Sequence, residues 1–213
     1  MIQLIIQQQY LAFVLVFFAL VFSLTFHEYG HAKAAAMIGD DTAARAGRLT
    51  INPIPHIHPL GLLMVLLIGV GFAKPVPTNP GKFNTRHGIL LVAAAGPAMN
   101  GLLALVLINI YGLGLKLGMP IFQTEVAAFF FYYLVLINLL LMLFNLLPVG
   151  PLDGSYILPY ALPQNMRWKY FQLNQRYGMY LLLGLIVLNL LGVPVLEGLL
   201  RFGHVLIDIF RFI

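Results

Sequence analysis

The amino-acid sequence predicts an all-α polytopic membrane protein, and composition and layout carry this prediction. Of the 213 residues, 61% are hydrophobic and only 9% are charged, and the mean hydropathy is +0.91. Soluble domains are about half apolar and about a quarter charged. Long apolar runs leave few residues for a soluble domain. We expect three core transmembrane helices, about one further span, a re-entrant segment and short β-strands beside the functional site.

Three long apolar runs are predicted to be the core helices, over about residues 5–37, 84–113 and 121–147. Each is long enough to cross a bilayer. Residues 177–191 form a marginal further span. Residues 196–213 mix charged and apolar residues, which predicts an amphipathic helix lying on a surface.

The chain between the first two core helices is expected to be irregular. Residues 60–73 are apolar but too few for a span, and Gly61, Gly69 and Gly71 interrupt them, so we predict that they re-enter the membrane and turn back. Short strands are predicted over residues 46–53 and 74–80. The prolines of the second segment confine it to a sheet edge.

The central motif is His27-Glu28-Tyr29-Gly30-His31, near the end of the first helix. Positions i and i+4 lie on one helix face, so both histidines can hold one metal ion. In an H-E-x-x-H motif two imidazoles bind Zn²⁺ and the carboxylate is the general base of peptide hydrolysis. Ionisable groups at membrane depth cost about 2.5 to 3.5 kcal/mol each, and a metal supplies a compensating reason. A structural metal or a chance pentapeptide are the alternatives.

A catalytic zinc site needs a third protein ligand, and Asp153 is the candidate because it follows the third helix as the histidines end the first. The two helices must then run parallel, which requires residues 60–73 to turn back. This topology puts most basic residues on the side of the motif, which points to the cytoplasm. They are Lys33, Arg45, Arg48, Lys74, Lys82, Arg86, Arg167, Lys169 and Arg176, against Lys116, Arg201 and Arg211 on the other side.

Five stretches together resemble the site-2 proteases, which are intramembrane zinc metalloproteases related to peptidase family M50. They are His27–His31, Gly47–Pro53, Lys74–Pro77, Ala95–Asn100 and Asn145–Gly154. The resemblance implies that His27, His31 and Asp153 bind one Zn²⁺ per chain and that Glu28 is the general base. It also implies that a membrane-spanning helical protein is cut within or near the bilayer.

This sequence departs from the family pattern in one loop, where His56-Ile57-His58-Pro59 stands in place of His-Ile-Asp-Pro. His56 and His58 are read as gating groups, as contacts of the metal ligands, or as solvated loop residues. We expect a minimal family form without PDZ-like or CBS-like domains. Residues 1–160 are the expected catalytic membrane core, and residues 161–213 add an interfacial segment, the further span and the amphipathic tail.

Three asparagines in the membrane segments are candidate substrate or oxyanion contacts. Asn145 can stabilise an oxyanion or orient substrate, and a hydrogen bond between helices is nearly as good an explanation. Asn100 and Asn138 are read first as helix contacts.

The predicted partners are a transmembrane protein substrate and membrane lipid, in a bacterial or archaeal cytoplasmic membrane with the active site toward the cytoplasm. The scattered basic residues do not predict nucleic-acid binding, and nothing in the sequence predicts an oligomeric state. The absence of cysteine excludes thiolate ligands and disulfides. A transporter or channel, or a metal-stabilised scaffold without activity, are the competing functions.

Overall fold

The structure is a computed structural model that describes residues 1–68, 71, 73–194 and 196–213. Its α-helices within those residues are α1 (Ile2–Ile6), α2 (Tyr10–Met37), α3 (Thr42–Arg45), α4 (Pro59–Ile68), α5 (Gly88–Lys116), α6 (Glu125–Asn145), α7 (Gly154–Ala161), α8 (Gln164–Leu190) and α9 (Glu197–Phe210). Short 3-10 helices cover Ile54–His56, Pro80–Lys82 and Pro120–Gln123.

Among the described residues, three helices are long and apolar enough to cross a membrane, namely α2, α5 and α6. They correspond to the three predicted core helices and pack against one another. The further span predicted over residues 177–191 is not confirmed. It lies in α8, which has 27 residues but is not one of the three candidates, because its first half is rich in polar and charged side chains.

The C-terminal helix α9 packs on the bundle with one face. Leu206, Ile207 and Phe210 lie against a buried cluster formed by α5 and α6, whose members are Ala104, Ile108, Val135 and Leu139. Asn109 of α5 holds the chain end, since its amide donates to Phe210 O at 2.7 Å and accepts from Phe212 N at 2.9 Å. The predicted amphipathic helix is therefore present, and the surface on which it lies is that of α5 and α6.

The prediction of short β-strands is wrong, because the described residues of both segments contain neither strand nor bridge. Prolines at positions 75, 77 and 80 have no N–H to donate to a ladder. A buried side chain joins the segments instead: the Arg48 guanidinium donates to Lys74 O and, at 3.2 Å, to Pro75 O.

The loop between α2 and α5 begins and ends at one place. Lys74 N donates to His56 O at 2.8 Å, and Asn79 N donates to the buried Asp40 carboxylate at 2.6 Å. Both hydrogen bonds bring the end of this segment back beside its beginning, as a re-entrant segment requires. Entry of α4 into the bilayer stays a prediction, and Gly69, one of the glycines behind it, lies outside the described residues.

Candidate metal centre

The three predicted metal ligands meet at one point. His27 and His31 lie one turn apart on α2, and Asp153 lies directly before α7. The two Nε2 atoms are 3.1 Å apart. His27 Nε2 is 3.3 Å from Asp153 Oδ2, and His31 Nε2 is 3.5 Å from Asp153 Oδ1. The fold thus brings together two parts of the chain that are separated by more than a hundred residues.

These distances fit a zinc ion. Ligand atoms at about 2.0 to 2.1 Å from a tetrahedral Zn²⁺ lie about 3.3 to 3.4 Å from one another. Asp153 Oδ2 is buried and accepts no hydrogen bond, although His27 Nε2 is 3.3 Å away. An orphaned buried carboxylate oxygen is costly unless a cation satisfies it.

The Asn100 side chain fixes the tautomer of His27. His27 Nδ1 lies 2.6 Å from Asn100 Oδ1, while Asn100 Nδ2 donates to Ser23 O at 3.1 Å. A carbonyl can only accept, so this second bond decides which end of the amide faces the imidazole. His27 Nδ1 must therefore carry the proton. Its Nε2 then presents a lone pair toward His31 and Asp153.

A second asparagine extends this contact into a network joining α2, α5 and α6. Asn100 Nδ2 also donates to Asn138 Oδ1 at 2.9 Å, and Asn138 Nδ2 donates to Ser23 Oγ at 2.8 Å. All three side chains are fully buried. Asn100 and Asn138 therefore lie behind His27, away from its Nε2, a position that favours support of the ligand over contact with substrate.

The backbone of α5 orients His31. His31 Nδ1 is 2.7 Å from Val92 O, so Nδ1 donates and Nε2 again carries a lone pair. Two imidazoles and a carboxylate thus converge with lone pairs and no shared proton, which is the donor set of a divalent cation.

Asp153 lies in the loop after α6, at the N-cap position of α7, and makes no capping hydrogen bond there. Its two carboxylate oxygens face the lone pairs of His27 Nε2 and His31 Nε2, at 3.3 and 3.5 Å, rather than N–H donors, so the arrangement suits a cation between them. Gly154 permits this position, because a Cβ there would lie 2.2 Å from Leu146 O at the end of α6.

Glu28 stands beside the ligands without being one of them. Its side chain is buried, and Oε2 accepts a hydrogen bond of 3.1 Å from Val76 N. The same short segment is held by Arg48, whose guanidinium also attracts the Glu28 carboxylate. The loop between α2 and α5 therefore fixes the carboxylate next to the candidate metal position.

Gly96 is a site residue that the sequence analysis missed. A Cβ at this position would lie 2.3 Å from His31 Nε2 and 2.7 Å from His27 Cε1. The backbone of α5 therefore touches both imidazoles. A glycine inside a long apolar helix costs about 1 kcal/mol relative to alanine, and that cost was the signal for a close approach.

The other predicted site residues make local contacts. Asn145 Nδ2 donates to Leu141 O in its own helix at 2.9 Å. The buried His56 ring contacts Thr50 O at 2.9 Å and Arg48 Nη2 at 3.4 Å, so it stiffens the loop. His58 Nδ1 accepts from Gly61 N at 3.4 Å, near the start of α4. Their roles toward substrate or gating stay predictions.

An H-E-x-x-H helix and a distant aspartate that meet among three apolar helices define the class of membrane metalloproteases, and comparisons with known proteins agree. The sequence model of peptidase family M50 matches residues 115–188. The chain is 41% identical over 192 residues to "Putative zinc metalloprotease YwhC" of Bacillus subtilis, covering 87% of this chain and 85% of the relative.

More distant relatives carry the same kind of name. The chain is 32% identical over 161 residues to "Putative zinc metalloprotease Rip2" of Mycolicibacterium smegmatis, covering 73% of this chain and 60% of the relative. No solved structure gives a significant match. The chain therefore belongs to peptidase family M50, the site-2 protease family, and is an integral membrane protein.

Proposed function

We propose that this protein is an intramembrane zinc metalloprotease that hydrolyses peptide bonds of transmembrane helical proteins, as in regulated intramembrane proteolysis. The observation that carries the proposal is the convergence of His27, His31 and Asp153 beside Glu28, on helices apolar enough to span a membrane. The zinc metalloprotease names of the relatives support the choice of metal.

His27, His31 and Asp153 would hold the zinc ion. When bound there, the ion supplies Lewis-acid chemistry that polarises a carbonyl and lowers the pKa of water toward about 7. Glu28 accepts the proton from the attacking water and then donates it to the leaving amine. The hydrogen bond from Val76 N to Oε2 orients the Glu28 carboxylate for this proton transfer.

The substrate must be unwound locally before hydrolysis. A transmembrane helix keeps its carbonyl groups in internal hydrogen bonds, and lipid offers no substitute partners. We propose that the irregular chain around residues 48–52 or 74–78 receives the opened backbone, because Val76 N of the second segment donates to Glu28 Oε2. Asn145 at the end of α6 remains a candidate for orienting the substrate or stabilising the oxyanion.

Two other functions are weaker. A transporter would use buried ionisable groups along a route across the membrane, whereas here they gather at one point beside a carboxylate that is not a ligand. A metal-stabilised scaffold has no use for Glu28. Ion or solute flux without proteolysis would favour the first, and zinc-dependent stability without cleavage would favour the second.

Replacing Asp153 by alanine tests the metal site. The variant leaves two imidazoles, so we expect zinc retention to fall from about one ion per chain to well below half after dialysis against a chelator. Metal analysis of the purified protein measures the change. Asp208→Ala on α9 is the matched control and should retain zinc as the wild type does. Full zinc retention by Asp153→Ala would place the third ligand elsewhere.

We propose that the protein resides in a bacterial or archaeal cytoplasmic membrane with the site facing the cytoplasm. The chain has no cysteine, so single cysteines report sidedness cleanly. Cysteines at the exposed positions Arg45, Thr78 and Lys169 should react with an impermeant maleimide from the cytoplasmic side only, and a cysteine at Lys116 from the opposite side. A split between Arg45 and Thr78 would contradict the re-entrant segment.

A further inference from the structure

The loop that delivers Asp153 is gripped from outside the three-helix core by α8. Asn174 makes two hydrogen bonds to one backbone unit: its Oδ1 accepts from Gly150 N at 2.9 Å, and its Nδ2 donates to Gly150 O at 3.1 Å. The side-chain amide thus satisfies both polar groups of a buried residue. A paired contact of this kind fixes orientation as well as distance.

Direct backbone packing reinforces this grip. A Cβ on Gly178, one turn after Asn174, would lie 2.8 Å from Gly150 N and 2.9 Å from Gly150 Cα. Gly150 itself has a φ of +63°, a conformation that other L-residues rarely adopt. Tyr170, one turn before Asn174, donates its hydroxyl to Pro148 O at 3.0 Å. One face of α8 therefore fits the loop over three consecutive turns.

The contact between α8 and Gly150 lies close in the chain to the proposed metal ligand Asp153. Only Pro151 and Leu152 lie between Gly150 and Asp153, and the proline ring fixes one backbone angle. Gly154, on the other side of Asp153, is pressed against Leu146 O. The position of the Asp153 carboxylate is therefore set by α6 from one side and by α8 from the other.

We infer that Asn174 is a positioning residue of the metal centre, which holds the Gly150–Asp153 loop so that the carboxylate meets His27 and His31. This inference rests on the metal site of the proposed function. It assigns a share in forming the site to α8, which lies outside the expected catalytic core of residues 1–160. The match to the family model runs to residue 188 and so includes this part of α8.

The alternative is that α8 only packs on the loop and stabilises the fold. Gly178 and Leu182 are the two buried residues of this helix, so its removal from the loop would cost modest stability. The two explanations differ in their effect on metal release. Positioning predicts faster loss of zinc from a folded protein, whereas packing alone predicts a lower unfolding temperature with unchanged zinc release.

Two substitutions that disturb the contact between Asn174 and Gly150 test the inference, each with a control on the same helix. Asn174→Ala removes both hydrogen bonds, and its control is the exposed neighbour Gln175→Ala. Gly178→Ala adds a Cβ that would lie 2.4 Å from Asn174 Oδ1 and 2.8 Å from Gly150 N, so it pushes the Asn174 amide and the helix away from Gly150. Its control is Gly184→Ala, where a Cβ would meet nothing within 4 Å. Asn174→Asp keeps the acceptor for Gly150 N and loses the donor to Gly150 O.

The measurements are the rate of zinc release to a chelator and the visible absorption of the Co²⁺-substituted full-length protein, with the unfolding temperature as a check on the fold. We expect Asn174→Ala and Gly178→Ala to release zinc about tenfold faster or more, within the range for partners of metal ligands. Their Co²⁺ spectra should lose intensity as the third ligand moves. Asn174→Asp, whose second carboxylate oxygen would face the Gly150 carbonyl, should also release zinc faster than wild type, and both controls should match wild type.

Asp153→Ala separates the two possible failures. If Asp153→Ala loses zinc while Asn174→Ala and Gly178→Ala hold it like wild type, the inference is overturned and the proposed metal site stands. If Asp153→Ala itself holds zinc like wild type, the metal site and the inference fall together. A lower unfolding temperature in Asn174→Ala with wild-type release and spectrum would assign Asn174 to packing alone and also overturn the inference.

Discussion

Replacing Glu28 by glutamine is expected to abolish cleavage of a co-expressed transmembrane substrate while zinc stays bound. Glutamine has nearly the same shape, and its carbonyl can still accept the hydrogen bond from Val76 N. It cannot accept a proton from water at neutral pH. Loss of a general base typically lowers the rate about 10² to 10⁴-fold, which takes the cleaved product below detection in most cellular assays.

The experiment needs both a product assay and a metal analysis. Glu197→Gln is the matched control, because Glu197 lies on α9 in an exposed ion pair with Arg201 and should cleave like wild type. Wild-type cleavage by Glu28→Gln would remove Glu28 from the mechanism. Loss of zinc together with activity would instead show that Glu28 helps to form the metal site.

The three candidate metal ligands could be predicted because their signals are local or topological. His27 and His31 follow from a fixed helical spacing, and Asp153 follows from the requirement that its helix end at the same depth. Neither argument needs a side-chain position. The structure accordingly brings together the three residues that the sequence proposed.

The contacts behind the ligands could not be predicted in the same way. Asn100 supports His27 only because α5 is rotated so that the Asn100 amide faces α2. The rotation of a helix about its axis depends on how the helices pack, and this cannot be derived from one sequence. The role of Asn174 depends on how α8 folds back over the loop after α6. Such contacts between distant elements depend on the tertiary structure. The residue type shows that an asparagine can form hydrogen bonds, but it does not identify the partner.

The prediction of short β-strands over residues 46–53 and 74–80 is wrong for a physical reason. The prolines of residues 74–80 indicated extended chain, and residues 74–79 are indeed without helix or turn. A strand needs a partner ladder, however, and the prolines remove its donors. Arg48 supplies the missing connection through its side chain. An extended segment beside a candidate catalytic carboxylate therefore need not be part of a sheet.

Replacing Gly96 by alanine is expected to lower the affinity for zinc strongly, because it adds a methyl group against both imidazoles. The added Cβ would lie 2.3 Å from His31 Nε2, and the ring cannot simply move aside because its Nδ1 is bonded to Val92 O. Ligands must be held within about 0.5 Å of their productive geometry. We therefore expect zinc affinity to fall about 100-fold or more, the upper end of the range for disturbed ligand support.

Gly101→Ala separates this steric effect from a general effect on α5. It lies on the same helix, but its Cβ would meet only Met142 Sδ, at 2.8 Å, the mobile end of a flexible side chain. Both substitutions raise helix propensity by up to about 1 kcal/mol, so the helix itself should survive in each. Competition with a zinc chelator measures the affinities. Equal zinc affinities in the two variants would contradict the prediction. They would mean that the two imidazoles lie farther from Gly96 when the metal is bound than they do here.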